Sequence, residues 1–138
     1  MRYAILCYNS EATIATWTQE QDDAVMAGLM AVHDGLAARQ QLGPVARLQF
    51  SSTAKTLRKD RQPSVVTDGP YAETKEALLG FYVVEVASEE EVLEIAQALG
   101  RANPGGAYEV RPISVFLPGA DLGMSVDTPQ RTGVPAHH

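Results

Sequence analysis

The strand-like segment Gly80–Val86 constrains the fold of this chain most, because it is apolar on both faces. Side chains along a strand point alternately to opposite faces, so Phe81 and Val83 lie on one side while Tyr82 and Val84 lie on the other. A strand that is buried on one face only would alternate apolar with polar residues. The segment therefore predicts a strand that is covered on both sides.

A long helix is predicted from Thr18 to Gln41. Thr18 with Gln21 three residues later is a capping-box pattern, and Gly43-Pro44 is a favourable stop for the helix. Apolar residues recur at helical spacing along this segment and predict a stripe that packs on a sheet, with His33 on its flank. The stripe comprises Val25, Leu29, Val32 and Leu36.

A second helix is predicted after the apolar strand. Ser88 with Glu91 three residues later repeats the capping pattern, and Gly100 is expected to end the helix. Its buried stripe is expected to comprise Val92, Ile95, Ala96 and Leu99.

The remaining β-like segments complete the pattern of a small α+β domain. Tyr3–Tyr8 predicts a first strand, again apolar on both faces, and Ala107–Leu117 predicts a last strand in which Pro112 demands an edge, a bulge or a break. Between the helices the pattern is weaker and predicts an irregular hairpin. Its pieces are Arg47–Phe50, Thr56–Arg58 and Ser64–Thr67, with a turn at Lys59–Pro63.

This order of elements predicts a ferredoxin-like βαββαβ fold, an antiparallel sheet with both helices on one face. The other face of the sheet then needs a cover that one domain over residues 1–117 is too short to supply. We therefore expect a homodimer whose two sheets pack face to face as a dimeric α/β barrel. Residues 118–138 have no periodicity and are expected to form a flexible extension, or a segment that docks on another subunit. The final His137-His138 could be a tag remnant and is excluded from site reasoning.

Composition limits the partners of this chain. Eleven basic and seventeen acidic residues give 138 residues a formal charge of -6, which disfavours nucleic acid and anionic membranes as partners. The single cysteine, Cys7, excludes an intramolecular disulfide, and the N-terminus lacks a signal peptide, so a cytoplasmic location is expected. No phosphate loop, dinucleotide fingerprint or metal-binding histidine pair is present, so neither cofactor nor metal is expected.

Several ordered motifs resemble the YCII-related, or DGPF-domain, family over about residues 1 to 115. They are Met1-Arg2-Tyr3, Val66-Thr67-Asp68-Gly69-Pro70, Glu73-Thr74-Lys75-Glu76, Gly80-Phe81-Tyr82 and Val110-Arg111-Pro112. The chain departs from the commonest family form in having Tyr71 for phenylalanine, Leu79 for the first of two glycines, and no glycine in the turn Lys59-Asp60-Arg61.

This resemblance implies a dimeric ferredoxin-like barrel with a cleft beside the Asp-Gly-Pro turn and an enzymatic role. Some members of the family are associated with extracytoplasmic-function sigma factors, which implies regulation instead of catalysis. YCII proteins proper are credited with a His/Asp active site. Asp68 matches the family turn, whereas His33 corresponds to no residue of the motif.

Asp68 and His33 are the catalytic candidates of this sequence. A carboxylate before Gly69-Pro70 can act as a general base, or it can accept backbone hydrogen bonds and pin the turn. A histidine beside an apolar stripe can transfer protons near neutral pH, or it can pack with one nitrogen satisfied. If the long helix passes over the turn, the two side chains could form a His/carboxylate pair.

The ligand-binding candidates are Tyr8, Tyr71, Glu73 and Arg111. Tyrosines, including Tyr82, can supply polar contacts in an apolar pocket, although strand aromatics are more often core residues. Glu73 can equally be a solvated turn residue, and Arg111 can bind an anionic ligand or pair with Glu109 on the same strand face. The sequence thus favours a small-molecule-binding protein near the Asp-Gly-Pro turn, with cofactor-free acid/base catalysis. A non-catalytic regulatory or interaction module is the alternative.

Overall fold

The computed structural model describes residues 1–120, which contain three α-helices and six strands; the predicted elements follow the expected order, and one short helix, Glu11–Ala15, was not predicted. The strands are β1 (Arg2–Asn9), β2 (Leu42–Arg47), β3 (Lys55–Arg58), β4 (Val65–Asp68), β5 (Ala77–Glu85) and β6 (Ala107–Pro112). The helices are α1 (Glu11–Ala15), α2 (Gln19–Ala38) and α3 (Glu89–Ala102). The predicted extension lies outside the described residues from position 121 onward.

Four strands form one antiparallel sheet in the order β2-β5-β1-β6, and β3 and β4 pair in a two-stranded ribbon of their own. The first and third of the four strands along the chain are neighbours at the centre, which is the ferredoxin-like arrangement. The predicted fold class is therefore confirmed. The ribbon corresponds to the Thr56–Arg58 and Ser64–Thr67 pieces of the predicted hairpin. The predicted piece Arg47–Phe50 is wrong, because Arg47 ends β2 and residues 48–50 form no strand.

The hydrophobic core lies between the four-stranded sheet and helices α2 and α3. Tyr3 and Ile5 of β1 meet Tyr82 and Val84 of β5 there, and Ile5 and Tyr82 are fully buried. The two helices contribute the stripes predicted from periodicity. These comprise Val25, Leu29 and Leu36 from α2 and Val92, Ile95 and Leu99 from α3, with Val32 packed against them.

The opposite side of the sheet, here called the open face, is also apolar. Leu6 lies across from Phe81 and Ala4 across from Val83, in positions that alternate with the core residues of the two central strands. Tyr8 lies on the same face at the end of β1. Both central strands therefore carry apolar residues on both faces, as the sequence predicts.

Helix α2 begins where its capping box predicts. The Thr18 hydroxyl accepts a hydrogen bond from the Gln21 backbone N–H at 3.1 Å, and the Gln21 side chain accepts one from the Thr18 N–H at 2.8 Å. The prediction that the helix reaches Gln41 is wrong, because α2 ends at Ala38. Gln40 then adopts a left-handed φ of 57°, which ends the helical path and turns the chain into β2.

Gly43-Pro44, predicted to stop the helix, lies inside strand β2. An edge strand tolerates proline because one row of its N–H groups needs no partner in the sheet, and the pairing of β2 with β5 shifts register at this point. Packing against β5 also requires glycine at position 43. A Cβ at this position would lie 2.8 Å from the carbonyl oxygen of Val83.

Helix α3 is capped by Ser88, whose hydroxyl accepts a hydrogen bond from the Glu91 N–H at 3.2 Å. The prediction that Gly100 ends the helix is wrong, because α3 continues to Ala102. The Tyr108 ring packs beside Gly100, so tertiary contact outweighs the low helix propensity of glycine there. Strand β6 ends at Pro112, short of the predicted Leu117.

No helix in the described part of the chain has both the length and the apolar character to cross a bilayer.

Candidate functional site

A hydrogen bond joins His33 of α2 to Tyr82 of β5. The His33 Nε2 atom lies 2.9 Å from the Tyr82 hydroxyl oxygen, and the two rings meet edge to face with centroids 5.3 Å apart. Tyr82 is fully buried at the centre of the sheet, whereas His33 is half-buried on the flank of its helix. The bond therefore links the protein core to a partly accessible imidazole.

Burial sets the protonation states of this pair. Burial lowers the pKa of His33, and the guanidinium of Arg47 lowers it further, whereas Asp34 opposes the change. Burial raises the pKa of Tyr82, with Cys7 and Tyr108 adding to the increase. Imidazole and phenol are therefore both neutral near pH 7.

A neutral imidazole held by a phenol can act as a general base. In the tautomer whose Nε2–H donates to the Tyr82 oxygen, Nδ1 of His33 carries the free lone pair that takes up a proton. The contact with the phenol fixes the orientation of the ring. The pair thus has the two parts of an acid/base device, a base and the group that orients it.

Arg47 completes the group of polar side chains, here called the α2–β2 cluster and consisting of His33, Arg47 and Tyr82. Arg47 lies on β2 across from Gly80, and its Nη2 atom is 3.2 Å from the Met26 sulphur on α2. Burial lowers the pKa of Arg47, and the neighbouring Tyr82 phenol opposes that change. A half-buried guanidinium therefore lies beside the histidine and the tyrosine.

The structure does not bring the two catalytic candidates into contact with each other. Asp68 lies at the end of β4 with its side chain 86% exposed, and it forms an ion pair with Lys55 across the ribbon. The Gly69 N–H donates to the Ala54 carbonyl at 2.8 Å, which pins the turn. His33 bonds Tyr82 instead, so the predicted pair of His33 with Asp68 does not form within residues 1–120.

Tyr71 and Glu73 lie beyond this turn and are both exposed. The Arg58 guanidinium sits over the Tyr71 ring, 5.4 Å from its centroid, although the ring is 77% exposed. A cation over an aromatic face at this distance holds the ring in place. These two ligand-binding candidates therefore belong to the surface of the ribbon and its following loop.

Tyr8 and Arg111 lie on the open face, and both contact the carboxylate of Glu109. The Arg111 Nε atom is 2.9 Å from a Glu109 oxygen, and the Tyr8 hydroxyl is 3.5 Å from the other oxygen. The ion pair along β6 is the alternative that the sequence left open for Arg111. This polar row borders the apolar open face, on the side of the sheet away from His33.

Two further polar groups are buried near the cluster. Burial raises the pKa of Cys7 to about 12, so its thiol is protonated and inert at neutral pH. Burial likewise raises the pKa of Tyr108, whose hydroxyl has no hydrogen-bond partner among residues 1–120. Within the same residues no three His, Cys, Asp or Glu side chains cluster closely enough to hold a metal ion.

A separate groove of about 390 Å³ lies between α2 and α3. Val32, Leu36 and Ile95 form its apolar part, and Arg39 and Glu94 are among its polar residues. None of the predicted site residues lines this groove.

Sequence reasoning identified His33 but missed Arg47. The sequence predicts Tyr82 only as a cavity-lining or core aromatic, because its partner lies 49 residues away along the chain. The available signal was a histidine at the edge of an amphipathic stripe that has to face the sheet. No local pattern marks Arg47, whose position depends on the register between β2 and β5.

Comparison with known proteins adds three findings. The family model described as the YCII-related domain matches residues 1–117. An uncharacterised protein of Rhizobium meliloti (strain 1021) is 48% identical over 120 residues, which are 86% of this chain and 97% of that protein. The chain is also similar to one solved structure, that of a 5-chloro-2-hydroxyhydroquinone dehydrochlorinase from Burkholderia phenoliruptrix AC1100 in complex with 2,5-dihydroxybenzoquinone. The TM-score is 0.49 at 16% sequence identity, and the match covers 83% of this chain and 94% of that one.

Proposed function

The chain belongs to the YCII-related family, and from the geometry of its α2–β2 cluster we propose that it binds a small molecule and catalyses proton transfer without a bound cofactor. The hydrogen bond of 2.9 Å between His33 and buried Tyr82 carries this proposal. His33 is the base, and Tyr82 orients it. A pair of titratable groups with pKa values shifted in opposite directions is typical of acid/base sites.

The proposed reaction moves one proton and needs no redox partner. Nδ1 of His33 takes a proton from a carbon or oxygen of the substrate, and the electron pair of the broken bond stays on the substrate. The imidazolium then returns the proton to another atom of the same molecule. The net reaction is an isomerisation, in which atoms and charge balance.

Deuterium exchange tests the proposed function. Small enolisable carbonyl compounds are incubated with the protein in deuterium oxide, and loss of their C–H signals is followed by NMR. His33→Gln is expected to slow the catalysed exchange by about 100-fold or more, the usual range for loss of a general base. Glu20→Gln, at the exposed start of α2 and outside the proposed sites, is the control and should leave the rate unchanged. Equal rates for wild type and His33→Gln would overturn the proposal, as the non-catalytic alternative requires.

The segment around the Asp-Gly-Pro turn is a second location proposed for ligand contacts. Asp68 and Glu73 are exposed there, and the Arg58 guanidinium holds the Tyr71 ring at the surface. This supports binding of a flat ligand on the ring. Tyr71→Ala should then weaken ligand binding without changing the folded state, and unchanged binding would count against this location.

A homodimer is proposed to cover the open face. Leu6, Phe81 and Val83 make this face apolar, whereas helices α2 and α3 pack on the other side of the sheet. Glu109 and Arg111 on its border can pair with their counterparts about a two-fold axis, since the interface of such a dimer is self-complementary.

Light scattering tests the homodimer. Leu6→Glu is expected to reduce the mass from two subunits to one at micromolar concentration. Leu93→Glu, an exposed leucine on α3, is the control and should stay dimeric. A wild-type mass of one subunit would overturn the proposal.

A cytoplasmic location is proposed from the cysteine chemistry. Cys7 is a buried free thiol, and a chain without a disulfide suits a reducing compartment. Cell fractionation with antibody detection tests this, and recovery only outside the cytoplasm would contradict it.

A further inference from the structure

The groove between helices α2 and α3 is separate from the α2–β2 cluster and takes no part in the proposed proton transfer. From the side chains that line it, we propose that this groove binds a free α-amino acid with an apolar side chain. Its volume of about 390 Å³ lies within the range of about 300–1,000 Å³ that is usual for small-molecule sites. The ligand class follows from the apolar floor of the groove and from the charges of both signs at one end of it.

Two contacts between the helices bound the groove. At Gly28 of α2 a Cβ would lie 3.1 Å from the Ala102 Cβ of α3, so the helices are in close contact there. At the other end the side chain of Gln41, just beyond α2, donates a hydrogen bond to the Glu91 carboxylate in the first turn of α3. The two helices are therefore antiparallel, and the residues that line the groove lie between these two contacts.

The floor of the groove is apolar. Leu36 and Ile95 are buried in it, and Val32 and Ala98 are half-buried. Residues 32 and 36 on α2 are spaced by four and residues 95 and 98 on α3 by three, so each pair shares one flank of its helix. An aliphatic or aromatic side chain placed between the two flanks would remove apolar surface from water, which favours binding.

The polar end of the groove is held in place by hydrogen bonds of Gln41. Its N–H donates to the Leu36 carbonyl at 2.9 Å, and its carbonyl accepts from the Glu85 N–H at 2.9 Å. Its side-chain oxygen accepts from the Arg39 Nε at 3.0 Å, while its side-chain nitrogen donates to Glu91. Gln41 therefore fixes a guanidinium on one side and a carboxylate on the other. Groups that are already ordered lose less conformational entropy when a ligand binds.

Charges of both signs remain for a ligand at this end. Among residues 1–120 neither Arg39 nor Glu94 takes part in an ion pair, and the Glu94 side chain makes no hydrogen bond. The terminal nitrogens of Arg39 can therefore donate to a carboxylate. Glu91 and Glu94 are spaced by three residues on α3 and share one flank, where they can accept from an ammonium group. A carboxylate and an ammonium on one carbon, next to an apolar side chain, define an apolar α-amino acid.

Leucine is the probe that tests this ligand class. The backbone amide signals of Leu36 and Ala98 are followed by NMR while leucine is added, and they are expected to shift saturably. Three probes each lack one part of leucine: glycine the apolar side chain, 4-methylpentanoate the ammonium, and 3-methylbutylamine the carboxylate. Each should bind at least five-fold more weakly. Binding of any one of them as tight as that of leucine, or no saturable shift with leucine at millimolar concentration, would overturn the proposal.

Charge variants test the two ionic contacts separately. Arg39→Met should weaken leucine binding by about five-fold, the upper range for an exposed ion pair, without weakening that of 3-methylbutylamine, which has no carboxylate. Glu94→Gln should likewise weaken leucine binding without weakening that of 4-methylpentanoate, which has no ammonium. Arg101→Met and Glu90→Gln change exposed charges on α3 outside the groove and are the matched controls. Leucine binding that is insensitive to both groove variants, or equal weakening of leucine and the partial probe, would contradict the proposal.

A substitution that fills the groove tests the location. Ala98→Met places a longer side chain in the groove and should abolish the leucine-dependent shift of the Leu36 amide. Gln97→Met, at the neighbouring exposed position outside the groove, is the control and should bind as wild type. If Ala98→Met fails to fold by circular dichroism, the charge variants decide, since they alter exposed side chains only. Unchanged leucine binding by folded Ala98→Met would contradict this site.

Discussion

The Nε2 atom of His33 lies 2.9 Å from the hydroxyl oxygen of Tyr82, so one hydrogen bond ties the flank of helix α2 to the central strand β5. Both groups are neutral at pH 7, since burial lowers the pKa of the imidazole and raises that of the phenol. The same bond therefore serves packing and proton chemistry. Stability and catalysis can be separated by substituting each partner in turn.

Acid should destabilise the protein through His33. Its pKa in the folded state is below the ordinary value of 6.5, so the unfolded chain binds the proton more readily. The stability that the neutral imidazole contributes is present above pH 6.5 and is lost as the pH falls below it. Urea unfolding at pH 7 and pH 5 should show a smaller loss of unfolding free energy for His33→Gln than for wild type. The other two histidines are present in both proteins, so equal losses would contradict the assignment.

Removing the Tyr82 hydroxyl should cost more stability than removing that of Tyr8. Tyr82→Phe deletes a buried hydrogen bond and leaves polar partners unsatisfied, which costs about 1–3 kcal/mol. Among residues 1–120 the Tyr8 hydroxyl makes one long contact, of 3.5 Å to Glu109, so Tyr8→Phe should cost less than about 0.5 kcal/mol. Urea unfolding of both variants at pH 7 measures the difference. Equal costs would mean that the buried bond contributes nothing net.

Gly106 should tolerate alanine far less than Gly69 does. Both have left-handed φ angles, of 74° and 99°, so each substitution adds backbone strain of about 1 kcal/mol. A Cβ on Gly106 would also lie 2.1 Å from the carbonyl oxygen of Tyr8, whereas Gly69 has open space around it. Thermal unfolding should show a decrease in melting temperature several-fold larger for Gly106→Ala than for Gly69→Ala. Similar decreases would contradict the close approach of this turn to β1.

Alkaline pH should destabilise the fold through Cys7. Its pKa rises from the ordinary 9.0 to about 12 in the folded state, so stability present below pH 9 is lost as the pH rises from 9 towards 12. At pH 8 a chromogenic disulfide reagent should react with the native protein at least 100-fold more slowly than with protein in urea, since the thiol is 1% exposed and protonated. Rapid labelling of the native protein would contradict its burial.

Asp68→Asn should separate a functional carboxylate from a structural one. The ion pair with Lys55 is solvent-exposed, and exposed pairs contribute about 0–1 kcal/mol. Unfolding free energy should therefore fall by less than about 1 kcal/mol. Lys55→Gln removes the other partner and is the matched control. A loss of ligand binding in Asp68→Asn but not in Lys55→Gln would favour a direct role for Asp68.

Local sequence patterns predicted the elements of this fold well. The pair Thr18 and Gln21 marks the start of α2, and Ser88 marks the start of α3, because capping depends on side chains only three residues apart. The end of α2 was misjudged at Gly43-Pro44, since those residues also suit an edge strand. Whether Gly43-Pro44 stops a helix or forms an edge strand depends on the packing of β2 against Val83, a contact about 40 residues away along the chain.

The candidate site was less predictable than the fold. The flank position of His33 followed from helical periodicity, but its bond to Tyr82 depends on how α2 crosses the sheet. Arg47 joins them only because β2 pairs with β5 in a register that places it across from Gly80. Asp68 was recognisable as part of a motif, and a motif does not specify which side chains it meets.

The separate pairing of β3 with β4 has a thermodynamic consequence for the Asp-Gly-Pro segment. The ribbon can open by breaking its own ladder and a few tethering bonds, while the four-stranded sheet and its core remain intact. It therefore forms a cooperative unit of its own, with an opening free energy below that of global unfolding. Amide hydrogens of Val65–Asp68 should exchange by this local route, faster than those of β1 and β5.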